Sequence, residues 1–88
     1  MSEIPQSVIQ SAKDPSLAIS VRVGKSGLSE NLFVEISSQL EARNLVKVKL
    51  NRGIFERNDR NLVWGELESR TSSKLVFARG NVGVLWKS

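Results

Sequence analysis

The chain has 88 residues, which is enough for a single domain with a small core. It contains no cysteine and no histidine, and this excludes disulfides, thiolate or imidazole metal sites and a histidine general base. The net charge is +4, with −1 on residues 1–44 and +5 on residues 45–88, and this asymmetry predicts a basic surface that meets a polyanion.

Residues 1–16 show no clear periodicity and are interrupted by Pro5 and Pro15. We therefore expect an irregular N-terminal arm, with at most one helical turn near Val8 and Ile9. The first ten residues carry an acid and no base, and they lack the apolar stretch of a signal peptide. No apolar run in the chain is long enough to cross a membrane. Together with the absence of cysteine, these features predict a cytoplasmic protein with no membrane partner.

Residues 17–88 are expected to form one domain, which starts with a strand, a tight loop and a helix. The sequence LAISVRV, residues 17–23, alternates apolar and polar side chains as a half-buried strand does. Gly24 and Gly27 bracket the loop that follows. Ser29 is a suitable N-cap for a helix that runs to about Arg43, with apolar residues recurring on one face.

The second half of the chain predicts a strand, a helix and a final hairpin. LVKVKL, residues 45–50, alternates valines and leucine with lysines. Residues 51–58 are a polar connection, and a helix is expected over residues 59–70. KLVFAR and VGVLWK are two strands joined at Gly80-Asn81, which has the glycine-first pattern of a type II′ turn.

The order β-α-β-α-β-β predicts a two-layer α/β sandwich, in which a four-stranded mixed sheet carries its helices on one face. The strand–helix–strand steps should join parallel strands, whereas the final hairpin must be antiparallel. The other face of the sheet should be open, or partly covered by the N-terminal arm.

The sequence Gly24-Lys25-Ser26 matches the end of a nucleotide-binding P-loop, but the rest of that motif is absent. A P-loop needs a further glycine at position 19, where this chain has Ile19 inside the first predicted strand. Nucleotide hydrolysis is therefore not expected. Residues 24–27 instead read G-x-x-G before a helix start, where backbone amides and Lys25 suit a phosphate. A tight turn followed by a helix cap explains both glycines equally well without a ligand.

The stretch VGKSGLSENLFVEISSQLEARNLVKVKL and the final strand pair resemble the CRM domain family (chloroplast RNA splicing and ribosome maturation), whose free-standing bacterial form is YhbY-like. The residues that carry the resemblance are Gly24, Gly27, Leu28, Ser29, Ile36, Leu40, Leu45, Val46, Lys47, Val48 and Lys49. In the final strand pair, Gly80, Asn81, Val84, Leu85, Trp86 and Lys87 stand at the positions of the family pattern Gly-Lys-x-x-Val-Leu-Tyr-Arg. The sequence departs from the family at Asn81, where a lysine is usual, and in residues 1–16, where a further helix is usual.

The resemblance implies the fold of the C-terminal domain of translation initiation factor three, in which the last strand inserts centrally and runs antiparallel. It also implies an RNA-binding module that is not an enzyme and that associates with ribosomal precursors, ribosomal subunits or intron RNA. No cofactor, metal or catalytic residue is expected. The resemblance and the basic residues together predict an RNA-binding set: Arg22, Gly24, Lys25, Ser26, Gly27, Lys47, Lys49, Arg52 and Arg79.

Two other function classes stay open. One is a duplex-DNA or chromatin protein of similar fold, since charge alone does not separate DNA from RNA. The other is a protein-interaction module that uses the open sheet face.

The roles of four further side chains also have a plain structural interpretation. Lys47 and Lys49 could equally keep an exposed sheet face hydrated. Trp64 and Trp86 are both expected to pack against other side chains rather than stack on bases.

Overall fold

The computed structural model describes residues 4–25, 27–51, 53 and 55–87. Its elements in chain order are α1 (Gln6–Lys13), β1 (Val21–Val23), α2 (Glu30–Arg43), β2 (Leu45–Leu50), α3 (Arg57–Thr71), β3 (Lys74–Arg79) and β4 (Val82–Trp86). The four strands and the two later helices match the sequence analysis, and the mixed α/β fold is confirmed.

The four strands form one sheet in the order β1-β2-β4-β3. Strand β2 is parallel to β1, and β4 lies between β2 and β3 and is antiparallel to both. The central, antiparallel last strand is the topology that the family resemblance implied. The hairpin turn has Gly80 at φ 59°, as the first position of a type II′ turn requires.

Helices α2 and α3 cover one face of the sheet and enclose the core. Ser29 caps α2, since its hydroxyl accepts a hydrogen bond from the Leu32 amide at 3.3 Å. Helix α3 starts at Arg57, two residues earlier than expected. The two helices and the sheet bury a shared set of apolar side chains: Leu32, Ile36, Leu40, Val46, Val48, Leu50, Val63, Trp64, Leu67 and Leu85.

Strand β2 shows the alternation that its sequence predicts. Val46, Val48 and Leu50 are buried, whereas Lys47 and Lys49 alternate with them and project from the other face. The expected burial of Trp64 is also confirmed, since only 3% of its surface is exposed.

Helix α1 corrects the sequence analysis, because the irregular arm expected over residues 1–16 is helical over Gln6–Lys13. The helix starts directly after Pro5 and buries Ala12. Eight residues give only two turns, and most of them are polar. The apolar pattern was therefore too short to distinguish a helix from an irregular segment.

Helix α1 packs on the face of the sheet opposite α2 and α3. The Lys13 ammonium lies 5.7 Å from the centre of the Phe77 ring. Val84 pairs with Phe77 on one side and with Lys47 on the other, so it faces away from the main core, yet it is fully buried. The N-terminal segment therefore partly covers this face, which is one of the two arrangements left open above.

Strand β1 is shorter than expected, since pairing begins at Val21 rather than at Leu17. A turn after α1 holds the intervening segment. The Asp14 carboxylate accepts hydrogen bonds from the Ser16 amide at 2.9 Å and the Ser16 hydroxyl at 2.8 Å. These two bonds to Ser16 lower the pKa of Asp14 below its ordinary value. The Leu17 amide donates to the Asp14 carbonyl, so Leu17 belongs to this turn and not to the ladder.

Candidate nucleic-acid interface

The G-x-x-G segment forms a tight turn between β1 and α2. The Gly27 amide donates to the Gly24 carbonyl at 2.9 Å, and Gly27 has φ 67°, which favours glycine. Lys25 is exposed, and Ser26 lies outside the described residues. The turn therefore presents one lysine to solvent at the start of a capped helix, which is a position where an anion is favoured.

Three basic residues lie in one row across the sheet. Arg22 on β1 pairs with Lys49 on β2, Lys49 pairs with Val82 on β4, and Val82 pairs with Arg79 on β3. Paired residues share a face, and this face is the one opposite the core. Arg22, Lys49 and Arg79, here called the basic row, span three strand spacings, or about 14 Å.

The basic row and the G-x-x-G turn lie at the same end of the sheet. Gly24 follows Val23 directly, and the Val23 carbonyl accepts from the Asn51 amide at 3.0 Å. The Leu50 amide in turn donates to the Asn81 carbonyl in the hairpin at 2.7 Å. These bonds join the turn, the end of β2 and the hairpin into one rim beside the basic row.

The carboxylates of the described residues lie outside the sheet, mostly on the two helices that also carry several arginines. None of the four strands contains an acid. Six carboxylates lie on α2 and α3: Glu30, Glu35, Glu41, Asp59, Glu66 and Glu68. Glu35 lines the small depression beside the G-x-x-G turn, together with Arg22. The sheet face is therefore basic, and the acids are mostly on the helix side, where they do not oppose a polyanion on the sheet.

Among the described cations of the predicted set, Lys47 is the one whose side chain has a hydrogen-bond partner in the fold. It donates to the Leu17 carbonyl at 3.0 Å in a partly buried position. This bond holds the segment between α1 and β1 against β2. Lys47 is therefore a support for the N-terminal segment, and it lies one row away from the basic row.

We expect Lys47→Met to lower the free energy of unfolding by about 0.5–1.5 kcal/mol, because it keeps the apolar stem and removes a charge-assisted hydrogen bond. The matched variant Lys49→Met should change it by less than about 0.5 kcal/mol. Urea unfolding of both variants measures the difference. Equal and negligible effects would show that the bond to Leu17 does not stabilise the fold.

Of the arginines near the start of α3, Arg60 forms a hydrogen bond within the fold. Arg60 donates to the Asn81 side-chain oxygen at 2.8 Å and so ties α3 to the hairpin. This bond gives a physical reason for the asparagine at a position where the family usually has lysine. Arg52 lies outside the described residues.

No aromatic side chain belongs to the basic row among the residues described. Trp86 pairs with Leu45 and Lys74 at the other end of the sheet and is half-buried beside α1, where it lines a depression with Val8. The row therefore offers charge without a stacking platform, which suits contacts to a phosphate backbone.

Comparison with known proteins identifies the family. The model of the CRS1 / YhbY (CRM) domain matches residues 12–87. The chain belongs to the CRM domain family. The match begins inside α1, so this CRM domain includes the end of the helix that sequence reasoning missed.

Relatives of this CRM domain carry names that refer to RNA. It is 39% identical over 66 residues to "Probable RNA-binding protein YqeI" of Bacillus subtilis, a match that covers 75% of the chain and 67% of the relative. It is 32% identical over 65 residues to "Probable RNA-binding protein PA4753" of Pseudomonas aeruginosa, which covers 74% of the chain and 61% of that relative.

A solved structure has the same fold. The solution structure of the hypothetical protein SAV1595 from Staphylococcus aureus, called "a putative RNA binding protein", superposes with a TM-score of 0.69 and 29% identity. The superposition covers 83% of this chain and 74% of the other.

The part of the CRM domain that the structure describes holds no group of three or more histidine, cysteine, aspartate or glutamate side chains placed to bind a metal ion. None of its helices is long and apolar enough to cross a membrane.

Proposed function

We propose that this CRM domain binds RNA by its phosphate backbone, with the G-x-x-G turn and the basic row acting as one surface. The proposed contacts are Arg22, Gly24, Lys25, Gly27, Lys49 and Arg79, with Ser26 and Arg52 kept from the sequence analysis. The observation that carries the proposal is the row of three bases, which crosses all four strands and meets the rim of the turn.

The electrostatics of this surface favour a polyanion over other ligands. The strands contain no carboxylate that would repel phosphate. Backbone amides at the start of α2 and the exposed Lys25 add positive potential at the end of the row. Phosphate contacts fix a nucleic acid in place without reading its bases, so the partner is expected to be recognised mainly by shape.

The names of the relatives support RNA as the polyanion. Within that class we propose structured RNA, such as a ribosomal RNA precursor or a ribosomal subunit, and a role in ribosome assembly or RNA processing in the cytoplasm. The proposed role is binding rather than catalysis, since the proposed contacts are cations, glycines and one serine, which offer no general base near neutral pH.

Competition binding tests this function. A labelled RNA stem-loop is bound to the protein and displaced by unlabelled stem-loop RNA or by duplex DNA of equal length and matched sequence. We expect RNA to compete several-fold better than DNA, and affinity to fall steeply between about 50 and 200 mM salt. Equal competition by DNA would favour the duplex-DNA alternative. An affinity that does not change with salt concentration would contradict a surface that binds the phosphate backbone.

A further inference from the structure

An apolar groove lies on the helix side of the molecule, across the sheet from the basic row. Its walls include the half-buried side chains of Leu28 and Phe55 and the buried Val63. Leu62 lies at the groove with 72% of its surface exposed. Among the described residues, Val34 is the other large hydrophobic residue that is exposed, at 62%. A single exposed leucine is ordinary, but this one adjoins three further apolar side chains.

Two carboxylates line the same groove. Asp59 precedes Leu62 by three residues and Glu66 follows it by four, so all three lie on one face of α3. Glu66 forms an exposed ion pair with Arg70 at 3.2 Å, whereas Asp59 has no ion pair with any described residue. This charge repels phosphate, so the groove is not an extension of the RNA surface. The groove is complementary to a polypeptide segment that presents both basic and apolar side chains.

We infer that the groove formed by Leu28, Phe55, Asp59, Leu62, Val63 and Glu66 binds a cationic, amphipathic segment of a protein partner. Apolar side chains of that segment cover Leu62 and rest on Phe55, and its lysines or arginines face Asp59 and Glu66. Binding of an amphipathic helix in an apolar groove is a common mode of protein recognition. The inference does not depend on RNA binding, because Leu62 and the two carboxylates lie on α3, on the opposite side of the sheet from the basic row, although Leu28 adjoins the G-x-x-G turn.

Two synthetic helical peptides with identical leucine positions test this inference, one with lysine at every polar position and the other with glutamate. The protein carries a net charge of +4, so overall electrostatics would favour the glutamate peptide. We expect the lysine peptide to bind more tightly, and amide chemical shifts in two-dimensional NMR to change at Leu28, Phe55, Leu62 and Val63. Equal or preferred binding of the glutamate peptide would overturn the inference, as would shift changes located elsewhere.

Matched variants distinguish specific binding in this groove from nonspecific hydrophobic binding elsewhere on the protein. Leu62→Ala should weaken the lysine peptide about tenfold, since the leucine loses most of its apolar contact, and Val34→Ala should leave the affinity unchanged. The double variant Asp59→Asn, Glu66→Gln should weaken the same peptide several-fold. RNA affinity should stay the same in Leu62→Ala. Equal effects of the Leu62 and Val34 variants, or no binding of the lysine peptide at millimolar concentration, would refute the groove.

Discussion

Replacing Gly83 by alanine is expected to lower the melting temperature by roughly 5–20 °C, which corresponds to a loss of about 1–3 kcal/mol in a domain of this size. A Cβ atom at Gly83 would lie 2.8 Å from Cη2, 2.9 Å from Cζ3 and 3.0 Å from Cζ2 of Trp64. Carbon atoms in good contact are about 3.5–4.0 Å apart. Because the Trp64 side chain is buried between α3 and the sheet, its ring cannot move away without disturbing the core.

A double-mutant cycle assigns this loss to the indole ring. Trp64→Phe removes the ring atoms that the added methyl group would meet, so Gly83→Ala should cost clearly less in that background. A coupling of about 1 kcal/mol or more is expected between the two sites. Thermal unfolding and urea unfolding of the four proteins provide the cycle.

Gly65 supplies the control for this stability prediction. It lies in α3, and a Cβ atom there would meet nothing within 4 Å. Gly65→Ala should therefore stabilise the protein by about 0.5–1 kcal/mol through helix propensity. If Gly83→Ala proved neutral or stabilising as well, the close packing of β4 against Trp64 would be wrong.

Removing the basic row is expected to weaken RNA binding by about ten- to a hundredfold at moderate salt. The triple variant replaces Arg22, Lys49 and Arg79 by glutamine, and each exposed contact to phosphate contributes about 0.5–1 kcal/mol. The slope of log affinity against log salt concentration should become less steep by about 2–2.7, since three cations are removed and each neutralised phosphate contributes about 0.7–0.9 to the slope. Stability should change little, because Arg22 and Arg79 are exposed and Lys49 is half-exposed.

A second triple variant controls for the loss of net charge. Arg43, Arg70 and Lys87 lie where α2, α3 and β4 end, at the opposite end of the sheet from the basic row. Their replacement by glutamine removes the same three charges and should leave most of the slope intact. If both triple variants weakened binding equally, only the net charge would matter, and the basic row would lose its assigned role.

Local sequence patterns predicted the elements that depend on neighbouring residues. The alternation over Leu45–Leu50, the Ser29 cap and the Gly80 turn all depend on contacts within a few positions of the chain. Each of them is found in the structure. The central place of β4 came from the family resemblance, since pairing between β2 and β4 joins residues that are 33 to 41 positions apart and no local pattern specifies it.

The features that the sequence did not predict depend on the pairing register between strands that are far apart in the chain. The sequence places Arg22 and Lys49 on neighbouring strands of a basic sheet surface, but only the pairing of all four strands adds Arg79 and brings the three into one row. The same strand pairing places Lys47 outside the basic row, where its ammonium donates to the Leu17 carbonyl. Gly83 in a strand interior was a signal of close approach by another group, and it could have indicated the contact with Trp64.

The most direct measurement of the RNA surface is a two-dimensional NMR titration of the ¹⁵N-labelled protein with an RNA stem-loop. We expect the largest changes in amide chemical shift at Arg22, Gly24, Lys25, Gly27, Lys49 and Arg79, and we expect these changes to diminish as the salt concentration is raised. The amide shifts of Leu62, Val63 and Glu66 on α3 should not change. Shifts concentrated on α3, or at the Trp86 end of the sheet, would contradict the assignment of the G-x-x-G turn and the basic row as the RNA-binding surface.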